Sequence, residues 1–205
     1  MLVATEYQLY PPKENTFDAE FSTVFQKFTD AVYKKDLVVL DAFLNENITF
    51  SFGEPAGKKG FYEFWNLDNR PEQSELWAVL EKILRLGGAY NSEARSYYAP
   101  YTYINFPNEF DPYENFAIIE KDVKICEKKD ADSTVIGYLS YNIVQFIYDS
   151  EFWSLSDKDF VRIRIPSGLE GYIQKKFIIS PIEYRLCISC NDNGEWKLNF
   201  LFAGD

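Results

Sequence analysis

Chemistry in this sequence rests on three cysteines, 32 carboxylates and 15 tyrosines, because histidine is absent. Without imidazole the chain lacks the commonest general base near neutral pH and the commonest metal ligand. Ser-His-Asp, Cys-His and histidine-based zinc sites cannot be assembled within it. Cys187 and Cys190 match C-x-x-C, but they fall in and just after the strand-like run Tyr184–Ser189, where residues three apart point to opposite faces. With Cys126 the count is odd, which is not a disulfide framework. The three read as small buried hydrophobes before they read as a redox or metal set.

Paired carboxylates can act as acid and base. Glu109, Asp111 and Glu114 lie close in sequence, as a solvated acidic loop or as a catalytic or Ca²⁺ group. The EF-hand spacing is absent. Gly53-x-x-x-Gly57-Lys-Lys-Gly60 lacks the Ser/Thr and the spacing of a phosphate loop. No cofactor, metal or catalytic residue is indicated. The aromatic residues carry more information. Tyr97, Tyr98, Tyr101, Tyr103, Phe152 and Trp153 stand in two concentrations. Either they line a ligand-facing groove between two domains, where flat rings stack on sugars or prolyl peptides, or they form interdomain core.

The whole-chain numbers narrow the classes. A net charge of −11 over 205 residues opposes binding to phosphate backbones and anionic membrane surfaces. No stretch approaches the ~20 apolar residues of a membrane-spanning helix. The opening Met-Leu-Val-Ala-Thr-Glu-Tyr has no basic n-region. Two locations are therefore expected: the periplasm or cell envelope if a signal peptide has been removed, or the cytoplasm. Nothing in the sequence sets the oligomeric state.

The elements that must position these residues change character along the chain. Residues 1–15 read as an extended, proline-punctuated arm. Phe17, Phe21, Val24, Phe25, Phe28, Ala31 and Val32 recur at spacings of three and four, predicting an amphipathic helix capped by Asn15 or Thr16. Asp36 caps a second, short helix, and Ile48–Phe52 alternates as one strand. Further helices are expected around Phe61–Trp65 and from Ser74 to Leu86, stopped by Gly87-Gly88. Residues 89–115, with six tyrosines and three prolines, read as a connector without periodicity. From 116 onward short β-rich runs alternate with turn signals, which predicts a small barrel or sandwich. Asp192-Asn193-Gly194 marks a final hairpin.

The run Val123-Lys-Ile-Cys-Glu-Lys-Lys-Asp-Ala-Asp-Ser-Thr-Val-Ile-Gly-Tyr-Leu139 resembles the opening of bacterial SH3-like domains. Phe160-Val-Arg-Ile163, Gly168-Leu-Glu-Gly-Tyr-Ile173 and Lys176-Phe177 resemble their close. The resemblance covers about 116–180. Cys126 stands where arginine is usual, Lys129-Asp130 where proline is common, and Phe160 where tryptophan is usual. The loop Asp149–Asp159 is an insertion. The resemblance implies an exported module that binds peptidoglycan or its peptides, often beside a Cys–His hydrolase, and the missing histidine excludes that companion. A second resemblance joins Phe25-x-x-Phe28-x-x-Ala31-Val32-x-x-x-Asp36-x-x-x-Leu40 and the ending Asn193–Asp205 to the nuclear-transport-factor-2-like superfamily, over 17–52 and 183–205. It implies that the terminal hairpin returns to pack on the N-terminal domain.

The expected fold is α+β. It comprises an α-rich domain over 16–115 with its Tyr-rich connector 89–115, a small SH3-like barrel over 116–181, and a C-terminal hairpin over 182–205. The expected function is a non-catalytic envelope module recognising a peptide, peptidoglycan or protein partner, with no nucleic acid. The alternative is a small-ligand protein or carboxylate-based enzyme in the N-terminal domain.

Overall fold

In the computed structural model the described residues are 2–3, 7–13, 17–53, 57–148, 156 and 158–204. They form two units: 1–11 with 105–181, and 12–104 with 182–205.

Helix α1 (Ala19–Lys34) opens the second of these units. Its cap is Asp18, two or three residues later than Thr16 or Asn15, and the carboxylate accepts the Phe21 N–H at 2.8 Å. An anion there also suits the positive end of the helix dipole. Helix α2 (Leu37–Phe43) follows after one left-handed residue, Lys35, and is capped by Asp36, which accepts the Val39 N–H at 3.1 Å. Chain then runs through a strand (Leu44–Thr49), α3 (Gly57–Phe64) and α4 (Leu76–Leu86). With β1 at Leu2–Val3, the strand Leu44–Thr49 is β2. Residues 89–115 are not an irregular connector throughout. They hold a hairpin, β3 (Ala89–Asn91) and β4 (Ser96–Ala99), and a turn of helix, α5 (Tyr101–Ile104).

Seven strands follow: β5 (Asn115–Ile118), β6 (Val123–Cys126), β7 (Val135–Leu139), β8 (Ile143–Phe146), β9 (Phe160–Arg164), β10 (Glu170–Gln174) and β11 (Ile178–Ile179). With β1 they make an eight-stranded sheet ordered β1-β7-β6-β10-β9-β8-β5-β11. Among the described residues this ladder runs open from β1 to β11. The N-terminal segment is part of the unit: Leu2–Val3 pair with β7, and Leu9 N–H reaches Tyr141 O at 2.7 Å. Every second residue of β9 and β10 points inward, so Val161, Ile163 and Ile173 join Phe116, Val144 and Phe146 in the core. Gly171 has no side chain because a Cβ there would meet Ile125 Cγ2 at 2.4 Å and Cys126 O at 3.0 Å.

The last hairpin, β12 (Arg185–Cys190) and β13 (Trp196–Phe202), belongs to the other sheet, ordered β2-β13-β12-β4-β3. Its turn is closed by Asn191, whose carboxamide accepts the N–H groups of Asn193 and Glu195, and by Gly194 at φ 81°. β12 pairs with β4 and β13 lies parallel to β2. This unit is therefore less helical than its sequence pattern: two strands come from 89–99 and two from beyond residue 184. Helix residues Phe21, Phe28, Phe61 and Trp77 and strand residues Tyr97, Leu186, Ile188 and Leu198 share one core. The protein is α+β, and no described helix is long and apolar enough to cross a membrane.

Candidate binding cleft

The four tyrosines expected at a ligand surface do not share one. Tyr97 is wholly buried, its ring against Phe25 at 5.0 Å and Phe21 at 5.6 Å between centroids. Tyr101 is buried as well. Neither presents a ring for stacking. Alternation along β4 sends Tyr98 to the opposite face, where it is half-buried and 6.2 Å from Phe200. Its hydroxyl donates to the Cys187 sulfur, and the proximity of that thiol, then the bond itself, raises the Tyr98 phenol. Tyr103 lies under the Arg185 guanidinium, 5.1 Å from the ring centre. Phe152 and Trp153 lie outside the described residues.

The cysteines are free. Leu186 and Ile188 face the helix-side core, Cys190 packs against it, and Cys187 points to the other face among Tyr98 and Asn199. Burial raises the Cys187 thiol, and hydrogen bonds from Tyr98 and Asn199 offset this only in part. A thiol held protonated is a weak nucleophile. Asp41 is the centre of the main polar cluster on the helices: it accepts the Tyr62 hydroxyl at 2.6 Å and the Lys58 ammonium at 3.0 Å. Burial raises its carboxyl, but these two partners together hold it below the ordinary carboxylate value. Its acceptor capacity is used internally, which suits a tie between α2 and α3.

Two open depressions differ in character. The larger, about 630 Å³, lies along α1 and is walled by Ser22, Gln26, Lys27, Asp30, Lys34 and Asp36. Asp30 and Lys34 pair there at 3.2 Å, and Asp30 also accepts Gln26 at 2.7 Å. Exposed pairs of this kind are a solvated helix face.

The smaller, about 290 Å³, lies in the eight-stranded unit and has a different character. Lys121, Asp122, Val123, Lys124 and Cys126 line one side, and Phe160, Gln174 and Phe177 the other, with Ala131. The elements dictate this grouping. β6 lies beside β10, with Cys126 opposite Tyr172, and β9 lies on the far edge of β10, with Phe160 opposite Gln174. A short 3₁₀ turn, Lys175–Phe177, then carries Phe177 to the cleft. Cys126, only 3% exposed, gives an apolar floor. The Lys176 ammonium lies 4.7 Å from the Phe177 ring centre, a cation–π distance. Asp122 takes a left-handed backbone at φ 54°, and its N–H donates to Ser140 Oγ at 2.9 Å.

Sequence reasoning did not single out these cleft residues. Lys124, Phe160 and Lys176-Phe177 were visible only as pieces of the SH3-like pattern, and Lys121 carried no signal of its own. Among the described residues no group of three or more His, Cys, Asp or Glu is placed to hold a metal ion. No family model, curated protein or solved structure matches the chain.

Proposed function

We propose that this protein is a non-catalytic binding module of the bacterial cell envelope. The eight-stranded unit is its recognition element, and a peptide, peptidoglycan or a protein is its partner. The observation that carries this reading is the cleft beside β6 and β10. It is open to solvent, has aromatic walls and a buried apolar floor, and is rimmed by Lys121 and Lys124, whose ammonium groups have no ion-pair partner among the described residues. Concave apolar sites with a few polar groups are the usual form of a ligand pocket. The bacterial SH3-like assignment of 116–180 is supported by the short antiparallel strands and by the Gly168–Ile173 segment, where Gly171 lets β6 and β10 approach. The envelope and periplasmic location rests on that resemblance alone.

The second unit fits a nuclear-transport-factor-2-like arrangement in that helices pack on one face of a sheet completed by the returning hairpin. Its interior between helices and sheet is filled by Phe21, Phe28, Phe61, Trp77 and Tyr97. This favours a scaffold role over the alternative of a small-ligand site or carboxylate enzyme there.

Co-sedimentation tests the proposal. The purified protein is mixed with insoluble peptidoglycan sacculi and, separately, with immobilised envelope proteins. Retention on one of them, lost in Phe160→Ser with an unchanged melting temperature, is the expected result. A wild-type protein that stays in every supernatant overturns the reading.

A further inference from the structure

Resting on the binding-module reading, we infer that the cleft beside β6 and β10 takes the C-terminal end of a peptide. The terminal carboxylate meets Lys121 and Lys124, and the last side chain lies against Phe160 and Phe177.

Charge is the first argument. The chain carries −11, yet the charged lining of this cleft is two lysines and one aspartate. Both lysines are exposed, and among the described residues neither ammonium has an ion-pair partner. Lys176, on the Phe177 ring, adds a third positive charge beside the wall. Such a rim lowers the energy of an anion there. Asp122 in the same lining tempers that field. It offsets one of the two lysine charges, and the lining has no Arg, the fork that grips a phosphate bidentately.

Shape and polarity give the second argument. About 290 Å³ lies at the small end of ligand pockets, room for one or two residues rather than a length of glycan strand. Val123, Cys126, Phe160 and Phe177 supply apolar surface for a side chain. Gln174 stands in the wall with a side-chain amide that makes no hydrogen bond among the described residues. An amide both donates and accepts, so it can pair with the last peptide group. Carboxylate, peptide group and apolar side chain occur on one and the same residue of a polypeptide only at its C-terminus.

Paired probes test this. Dye-labelled tripeptides ending in Leu or Phe are prepared as the free acid and as the C-terminal amide, and binding to the full chain is read by fluorescence anisotropy. The acid is expected to bind at least tenfold tighter than the amide. The double variant Lys121→Gln/Lys124→Gln should remove that preference, with an unchanged melting temperature and amide affinity. Acid and amide that bind alike, or no binding of either at millimolar concentration, overturn the inference. So does retention on phosphatidylglycerol vesicles without an acid preference. If sacculi or envelope proteins still retain the double variant fully, the carboxylate inference fails while the binding-module reading stands. An acid preference in a protein that no envelope fraction retains has the opposite meaning.

Discussion

Replacing Tyr97 with Phe should stabilise the protein. The ring is at 0% exposure, and Gly88 lies so close that a Cβ there would meet Tyr97 Cζ at 2.9 Å. The phenol tip therefore ends against backbone, and its hydroxyl finds no hydrogen-bond partner among the described residues. Burial alone raises the Tyr97 phenol well above its ordinary value, with no charged neighbour contributing. A hydroxyl taken from water without a partner costs about 1–3 kcal/mol. Removing one oxygen forfeits a few dispersion contacts, roughly 0.5 kcal/mol. The net gain is about 0.5–2.5 kcal/mol, which for a chain of this size raises Tm by roughly 2–8 °C. Calorimetry and urea denaturation at an unchanged m-value measure it. Tyr90→Phe is the control: that hydroxyl donates to Asp18, so its loss should lower Tm. A Tyr97→Phe protein that melts below wild type would refute the reasoning, because the hydroxyl must then have a partner such as a buried water.

Gly171→Ala should destabilise the eight-stranded unit by ~2 kcal/mol or more through overpacking against Ile125. Gly168→Ala, with open space around it but φ at 87°, should cost only about 1 kcal/mol; equal losses by urea titration would contradict the close approach of β6 and β10. Asp41 has a lowered folded-state carboxyl value, so its stabilisation is complete above the unfolded value near 4 and is lost as pH falls through the lowered one. Asp41→Asn should accordingly flatten the acid limb of a stability–pH curve, and an unchanged limb would mean Lys58 and Tyr62 do not favour the carboxylate. Deleting 183–205 removes β12 and β13 from the middle of the five-stranded sheet and should unfold that unit, seen as lost helical circular dichroism. The Tyr90 phenol, raised by burial and then by its bond to Asp18, should ionise near pH 12. A Tyr90→Phe difference titration at 295 nm that finds it near pH 10 would discount that bond.

Local signals in the chain were good guides to local structure. The three-and-four spacing from Phe17 to Val32 yields α1, and Asp36 caps α2 as its type and position suggest. The Asp192-Asn193-Gly194 signal yields the turn between β12 and β13, and the short runs after 116 yield β5 to β11. Each of these depends on neighbours within a few residues. The tyrosine-rich stretch misled for a related reason. Ser96–Ala99 is too short to show its alternation amid so many aromatics, so β4 and the burial of Tyr97 stayed hidden.

Composition and spacing by themselves determined that histidine chemistry is excluded, that the protein mixes helix and strand, and that short β-strands dominate after residue 116. Only the tertiary structure decided which strands pair and which side chains meet. Lys121 and Lys124 reach the same cleft as Phe160 and Phe177 because β6, β10 and β9 lie side by side, though they lie between 36 and 56 residues apart in the chain. β12 reaches β4 across almost ninety residues for the same reason. Periodicity reports which face of an element is apolar. It carries no information about which distant element covers that face, and the site is made of just such distant pairings.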